Sequence, residues 1–142
     1  MKLNDKYILE DLKKIPTQGG EISKLLDKSN KNFYGFGELY TSSIKKNQIR
    51  AWKKHKKMKS NLIVIKGTVK FVLIDNDFKY SISLILSENK LQRLSLYEDV
   101  WFGFMGMSEN DNTILNLANI EHDENEISRV SFETHQDKFF LR

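Results

Sequence analysis

Apolar residues along this 142-residue chain fall into short runs between turn signals, and never into a long stripe of helical period. The clearest case is Phe78, Tyr80, Ile82, Leu84 and Leu86, with Lys79, Ser81 and Ser83 between them. Side chains on a strand alternate between faces, so this spacing predicts a strand with one buried face. Residues 61–65 and 68–74 are mostly apolar and flank Lys66-Gly67, which predicts a hairpin turning there. Residues 100–107 and 113–120 predict two further strands. Turn signals fall at Gly19-Gly20, Lys45-Lys46-Asn47, Asp75-Asn76-Asp77, Ser87-Glu88-Asn89, Glu98-Asp99 and residues 108–112. Helix signals are confined to one turn at 23–28 and a short C-terminal helix at 123–128. Evenly spaced short strands predict an all-β sandwich or barrel.

Composition narrows the class. Hydrophobic residues make up 39% and charged residues 30%, the balance of an ordinary globular domain, and one domain spans 1–142. The absence of cysteine excludes disulfides, thiolate metal sites and a thiol nucleophile. Residues 1–12 alternate charged with apolar side chains, which is not a signal peptide, and no run approaches ~18 apolar residues. The expected protein touches no membrane and is cytoplasmic. The net charge of +4 serves solubility on one reading and attraction of an anionic ligand, such as a nucleotide diphosphate, on the other. Exposed strand edges make a homodimer the expected assembly.

Candidate chemistry concentrates in Ile49-Arg50-Ala51-Trp52-Lys53-Lys54-His55-Lys56-Lys57-Met58. On a strand, Ala51, Lys53 and His55 share one face, and Arg50, Trp52 and Lys54 share the other. Lys53 and His55 then stand about 7 Å apart, a spacing suited to two groups acting on one small ligand. The bland reading is a lysine-rich, solvated edge. Nucleic-acid binding through these lysines is not expected, because no aromatic-basic platform accompanies them.

Four segments together resemble the sugar-nucleotide cupins, the family of dTDP-4-dehydrorhamnose 3,5-epimerase and the 3,4-ketoisomerases. They are Gly35-Phe36-Gly37-Glu38-Leu39-Tyr40-Thr41-Ser42, the motif Trp52-x-x-His55-x-x-Met58 with Gly67 downstream, Val100-Trp101-Phe102-Gly103-Phe104, and Asn119-Ile120-Glu121-His122-Asp123. The resemblance runs over residues 15–127. It implies a double-stranded β-helix, the cupin jelly roll, and a nucleotide-linked sugar as ligand, a dTDP-sugar in the first instance. It implies an isomerase or epimerase that moves a proton next to the ketone of a 4-keto-6-deoxysugar, in surface-polysaccharide biosynthesis. The alternative is a non-catalytic sugar-nucleotide binding cupin.

The departures from that pattern are specific. The epimerases' Arg-Gly-Leu-His aligns with Arg50 to Lys53, so a lysine stands where the catalytic histidine would be. The ketoisomerases' Arg-Gly-x-His-x-His leaves His55 matching the second histidine. The epimerases' general-acid tyrosine falls on Asn116. Their phosphate-binding Asp-x-Arg-Gly falls on Thr17-Gln18-Gly19-Gly20, without its arginine. Of four cupin metal-ligand positions, Lys53, His55, Ser60 and Phe102, only one keeps a ligand, so no metal and no organic cofactor are expected. His122 and His135 are expected in surface turns. The catalytic candidates are His55, Lys53 and Tyr40, the last as a hydroxyl acid. The substrate-binding candidates are Arg50, Trp101, Asn116, Glu38 and Arg93, with the two arginines as phosphate partners. Strict alternation turns Arg50 away from Lys53 and would bring it to a phosphate only at the barrel rim or across a dimer.

Overall fold

The structure, a computed structural model, describes residues 2–134 and 140. Twelve strands form among them: β1 (Tyr7–Asp11), β2 (Lys13–Thr17), β3 (Gly20–Lys24), β4 (Glu38–Ile44), β5 (Ile49–His55), β6 (Ser60–Lys66), β7 (Thr68–Ile74), β8 (Ser81–Ser87), β9 (Gln92–Leu96), β10 (Trp101–Gly106), β11 (Asn112–Ala118) and β12 (Ile127–Arg129). One antiparallel sheet runs β1-β9-β6-β11-β4 and the second runs β12-β5-β10-β7-β8. The hairpin β2-β3 stands apart. The result is the all-β, double-stranded β-helix that the strand pattern and the resemblance predict. No helix among the described residues is long and apolar enough to cross a membrane.

The core lies between the two sheets. Leu62, Val64, Leu94, Leu96 and Ile114 from the first sheet meet Val69, Phe71, Leu73, Leu86 and Phe102 from the second. The second sheet is also covered on its outer face, where Val72 and Ile74 of β7 pack with Trp52, Trp101 and Phe140. A strand buried on both faces reads as a continuous apolar run, which is why 68–74 shows no alternation.

The expected hairpin at Lys66-Gly67 does not form. β6 pairs with β9 and β11, and β7 pairs with β8 and β10, so the chain changes sheets at Gly67. A single residue separates the two strands, too short for the two-residue loop that a tight hairpin needs. Gly67 sits at φ +75°, and an added Cβ would lie 2.4 Å from Asn112 Oδ1. Asn112 closes this corner from within. Its Oδ1 accepts from the backbone N–H of Thr68 (2.9 Å) and Ser108 (3.1 Å), and its Nδ2 donates to the carbonyl of Ile44 (3.0 Å).

Three smaller expectations change as well. The alternating strand starts at Ser81 rather than Phe78. Asp75 Oδ1 accepts from the N–H of Lys79 and Tyr80, which holds the preceding turn and leaves Tyr80 71% exposed. No helical turn forms at 23–28, because Gly19-Gly20 folds β3 back onto β2 as far as Lys24 paired with Lys13. Residues 123–128 form a 3-10 turn, Glu124–Glu126, capped by the Asp123 side chain, and then lead into β12.

Asn112→Ala strips the corner of its buried partners and is expected to lower stability by on the order of 3 kcal/mol. The expected signature is a lower urea midpoint with an unchanged slope.

Candidate active site

Between the sheets opens a cavity of about 540 Å³, reached by side chains from β4, β5, β6, β7, β10, β11 and β12. β5 crosses it. The pairing of β5 with β10 sets Lys53 opposite Phe102 and Arg50 opposite Phe104. Two steps along β10 therefore match three along β5, which is a β-bulge. Phe102 and Phe104 share a face, so the bulge turns both Lys53 and Arg50 to the cavity side. Strict alternation had placed Arg50 on the opposite face, and the extra residue overrides it. Arg50 is exposed and lies over the Phe104 ring at 5.9 Å, and its guanidinium donates to Ser42 Oγ and the Ser43 carbonyl.

His55 closes the motif strand. Its ring stacks on Phe102, with centroids 6.0 Å apart. Its Nδ1 is hydrogen-bonded to Glu126 Oε2. Glu126 is buried, and its other oxygen accepts from the backbone N–H of Lys57 (2.9 Å) and Met58 (3.0 Å). Burial would raise the Glu126 carboxyl, but these bonds from His55, Lys57 and Met58 hold it below its ordinary value. Burial pulls His55 below its ordinary 6.5 despite the opposing pull of Glu126. With a charged acceptor at Nδ1, the neutral imidazole carries its proton there and keeps the Nε2 lone pair free. The motif strand thus ends in a base with a fixed tautomer.

Lys53 sets its Nζ 5.7 Å from the Phe102 centroid. Burial lowers its pKa first, and Arg129, directly across on β12, lowers it further. The neighbouring Lys54 provides a contrast. It points outward and reaches Asp99 (3.7 Å), Asn76 and the Trp101 ring. Arg129 lines the cavity too, and its guanidinium donates to Glu124 Oε1 at 2.9 Å. Arg50, Lys53 and Arg129 give the cavity a positive wall.

Opposite, on the first sheet, Tyr40 and Asn116 face each other across β4 and β11. Asn116 Nδ2 donates to the Tyr40 hydroxyl at 2.8 Å. That oxygen accepts one bond and keeps its proton for another acceptor. Asn116 Oδ1 is buried without a hydrogen-bond partner among the described residues, which a ligand hydroxyl would supply.

His55, Lys53, Tyr40, Arg50 and Asn116 are therefore brought to one cavity. Trp101, Glu38 and Arg93 are not. Trp101 faces outward and packs on Phe78, because its neighbour Phe102 takes the inward position. Glu38 accepts from the backbone N–H of His122. Arg93 is 2% exposed on the outer side of the first sheet, paired with Glu10 (3.1 Å) and the Leu25 carbonyl. His122 is exposed beside Glu124, and His135 lies outside the described residues. No three His, Cys, Asp or Glu side chains gather as a metal-binding group among the described residues. Sequence reasoning missed Glu126 and Arg129. Their own segment carries no signal for either role, since both roles depend on pairing with β5.

The FdtA profile, described as WxcM-like, C-terminal, matches residues 5–136. No curated protein sequence matches the chain. Among solved structures, a dTDP sugar isomerase from Desulfovibrio desulfuricans G20 superposes with a TM-score of 0.80 at 27% identity, over 88% of this chain and 83% of that one. QdtA, a sugar 3,4-ketoisomerase from Thermoanaerobacterium thermosaccharolyticum solved with TDP, gives 0.76 at 22% identity, over 94% and 93%. ChmJ, a 3'-monoepimerase from Streptomyces bikiniensis solved with dTDP-quinovose, gives 0.79 at 9% identity, over 89% and 70%. The last two show the shared fold alone.

Burial of the Lys53 charge costs stability, so Lys53→Met is expected to raise the melting temperature by about 2–4 °C. The folded pKa lies below the unfolded 10.5, so wild-type stability rises with pH through that window. The gap between the two proteins should narrow as pH climbs toward 10.5. A lower melting temperature for the variant would contradict this account.

Proposed function

The chain belongs to the FdtA family, WxcM-like, C-terminal, and from that premise we propose that it is an isomerase or epimerase of a nucleotide-linked 4-keto-6-deoxysugar. It works by proton transfer at a carbon next to the ketone. The observation that carries this reading is the His55–Glu126 pair at a cavity with a positive wall. His55 is neutral near pH 7 and removes the proton through Nε2. Glu126 holds the tautomer and stabilises the imidazolium that forms. Negative charge develops on the ketone oxygen as the proton leaves. Tyr40, with its proton free to donate, and the neighbouring cations stabilise that charge where it appears. Arg50 and Arg129 supply guanidinium forks for the diphosphate. Asn116 Oδ1 accepts from a sugar hydroxyl.

The dTDP linkage is adopted from the solved neighbours, a dTDP sugar isomerase and two enzymes solved with TDP and with dTDP-quinovose. We place the reaction in surface-polysaccharide biosynthesis. A homodimer belongs to this reading, since Leu39 (55% exposed) and Ile65 (44%) leave apolar surface on the outer side of the first sheet. The second reading, a sugar-nucleotide binder without turnover, draws on Lys53 and Asn116 standing where the resembling enzymes carry histidine and tyrosine.

Proton NMR in deuterated water tests both with dTDP-4-keto-6-deoxyglucose. Deuterium entering at C3 or C5 is the expected result. Line broadening without exchange would leave only the binder. Glu126→Gln keeps acceptors for the two backbone N–H groups but turns an N–H toward His55, reversing the tautomer. It is expected to slow exchange by about two to four orders of magnitude. In the wild type, kcat/KM should fall on the acid side through a pKa below 6.5, as His55 takes up its proton.

A further inference from the structure

Lys53 stands where the resembling epimerases place a base, but an amine can also add to a carbonyl. Four features of the cavity favour addition. First, Lys53 has no ion-pair or hydrogen-bond partner among the described residues. The carboxylates nearest to it in charge are occupied. Glu126 is held by His55 and two backbone N–H groups, and Glu124 by Arg129 and His122. Second, burial opposes a positive charge on Lys53, and Arg129 across on β12 and Arg50 on its own strand add to it, against the pull of Glu124 and Glu126. An amine desolvated beside other cations is an activated nucleophile. Third, the Phe102 ring beneath it offers an apolar wall, and the cavity has room for a sugar. Fourth, a proton donor and a base are already present in the same cavity, as Tyr40 and His55.

We propose that Lys53 Nζ adds to the ketone of the bound sugar and forms an imine through which His55 exchanges the neighbouring proton. This rests on the keto-sugar reading of the cavity. The neutral amine attacks the carbonyl carbon, and the C=O electron pair moves to oxygen. Tyr40 protonates that oxygen and recovers a proton from the new ammonium. The C–O bond of the carbinolamine then breaks as Tyr40 protonates the departing hydroxyl, which leaves as water. The iminium remains, and Tyr40 regains its proton from the water that later hydrolyses it. His55 removes the adjacent C–H proton, and the electron pair closes an enamine. Reprotonation on either face and hydrolysis by water return the ketone and free Lys53. No oxidant or reductant enters. The nitrogen stays on the original carbonyl carbon throughout. An imine therefore fits inversion at the neighbouring carbon. Migration of the ketone would leave the lysine bonded to the sugar as an amino ketone. The inference thus selects epimerisation from the two reactions proposed above.

The full chain is incubated near pH 7 with dTDP-4-keto-6-deoxyglucose and sodium cyanoborohydride, which reduces iminium ions and spares ketones. Intact mass and peptide mapping follow, with ligand NMR on a sample lacking reductant. The expected product is one adduct, heavier by the ligand less one oxygen atom, mapped to Lys53. Lys53→Arg keeps the charge and should lose the adduct, whereas Lys54→Ala should keep it. Ligand binding without an adduct overturns the imine and leaves the keto-sugar reading standing. So does labelling spread over surface lysines and unchanged in Lys53→Arg. Absence of any ligand binding sinks the keto-sugar reading, and the imine with it.

Discussion

A buried carboxylate 71 residues away along the chain decides what the motif strand can do. Glu126 binds the His55 ring with one oxygen and the amides of Lys57 and Met58 with the other. A carboxylate is expensive to bury unless such partners are complete. Here they are complete, and that has two effects. The imidazole is held in one tautomer, and both oxygens of Glu126 are taken, so neither pairs with Lys53. The amine next in line on the same face is left among cations and aromatic carbon. The tautomer of one group and the lack of a carboxylate partner for the other thus follow from one saturated carboxylate.

The positive wall has its own cause. A single extra residue in β5 brings Arg50 to the side of the strand that Lys53 occupies, and β12 delivers Arg129 across from it. Three cations gathered without equal counter-charge repel one another and weaken the folded state. Such local conflict with stability is the usual mark of a site shaped for a ligand. An anionic ligand resolves it, by attraction at a distance and by pairing on arrival.

Much of this was legible in the sequence. Alternation along 82–86 and the short runs at 100–107 and 113–120 mark real strands. The common face of Lys53 and His55 follows from spacing alone. Other features lay beyond local pattern. A bulge changes parity by one, so Arg50 could not be assigned a face without its partner strand. Trp101 and Phe102 are both apolar on a strand covered on both sides, and nothing in the run says which of them faces the cavity. Arg93 reads as a surface cation until Glu10 and the Leu25 carbonyl are seen to enclose it. Glu126 and Arg129 acquire their roles only through β5. The Lys66-Gly67 signal was genuine as a turn, but one residue is enough to change sheets and too few to close a hairpin.

That change of sheets at Gly67 reaches into how the protein is made. Among the described strands, only β2-β3 and β7-β8 pair with their neighbour in sequence. Every other ladder closes a long loop before its contacts can compensate the lost chain entropy, a pattern associated with slow folding. β5 is an extreme case, since its two partners are β10 and β12. During synthesis from the N-terminus, the motif strand emerges long before either partner exists. The His55–Glu126 pair therefore cannot form until residue 126 has been added and β12 has docked. Of the described strands that line the cavity, β12 is made last, and no nascent chain that stops short of it holds the pair.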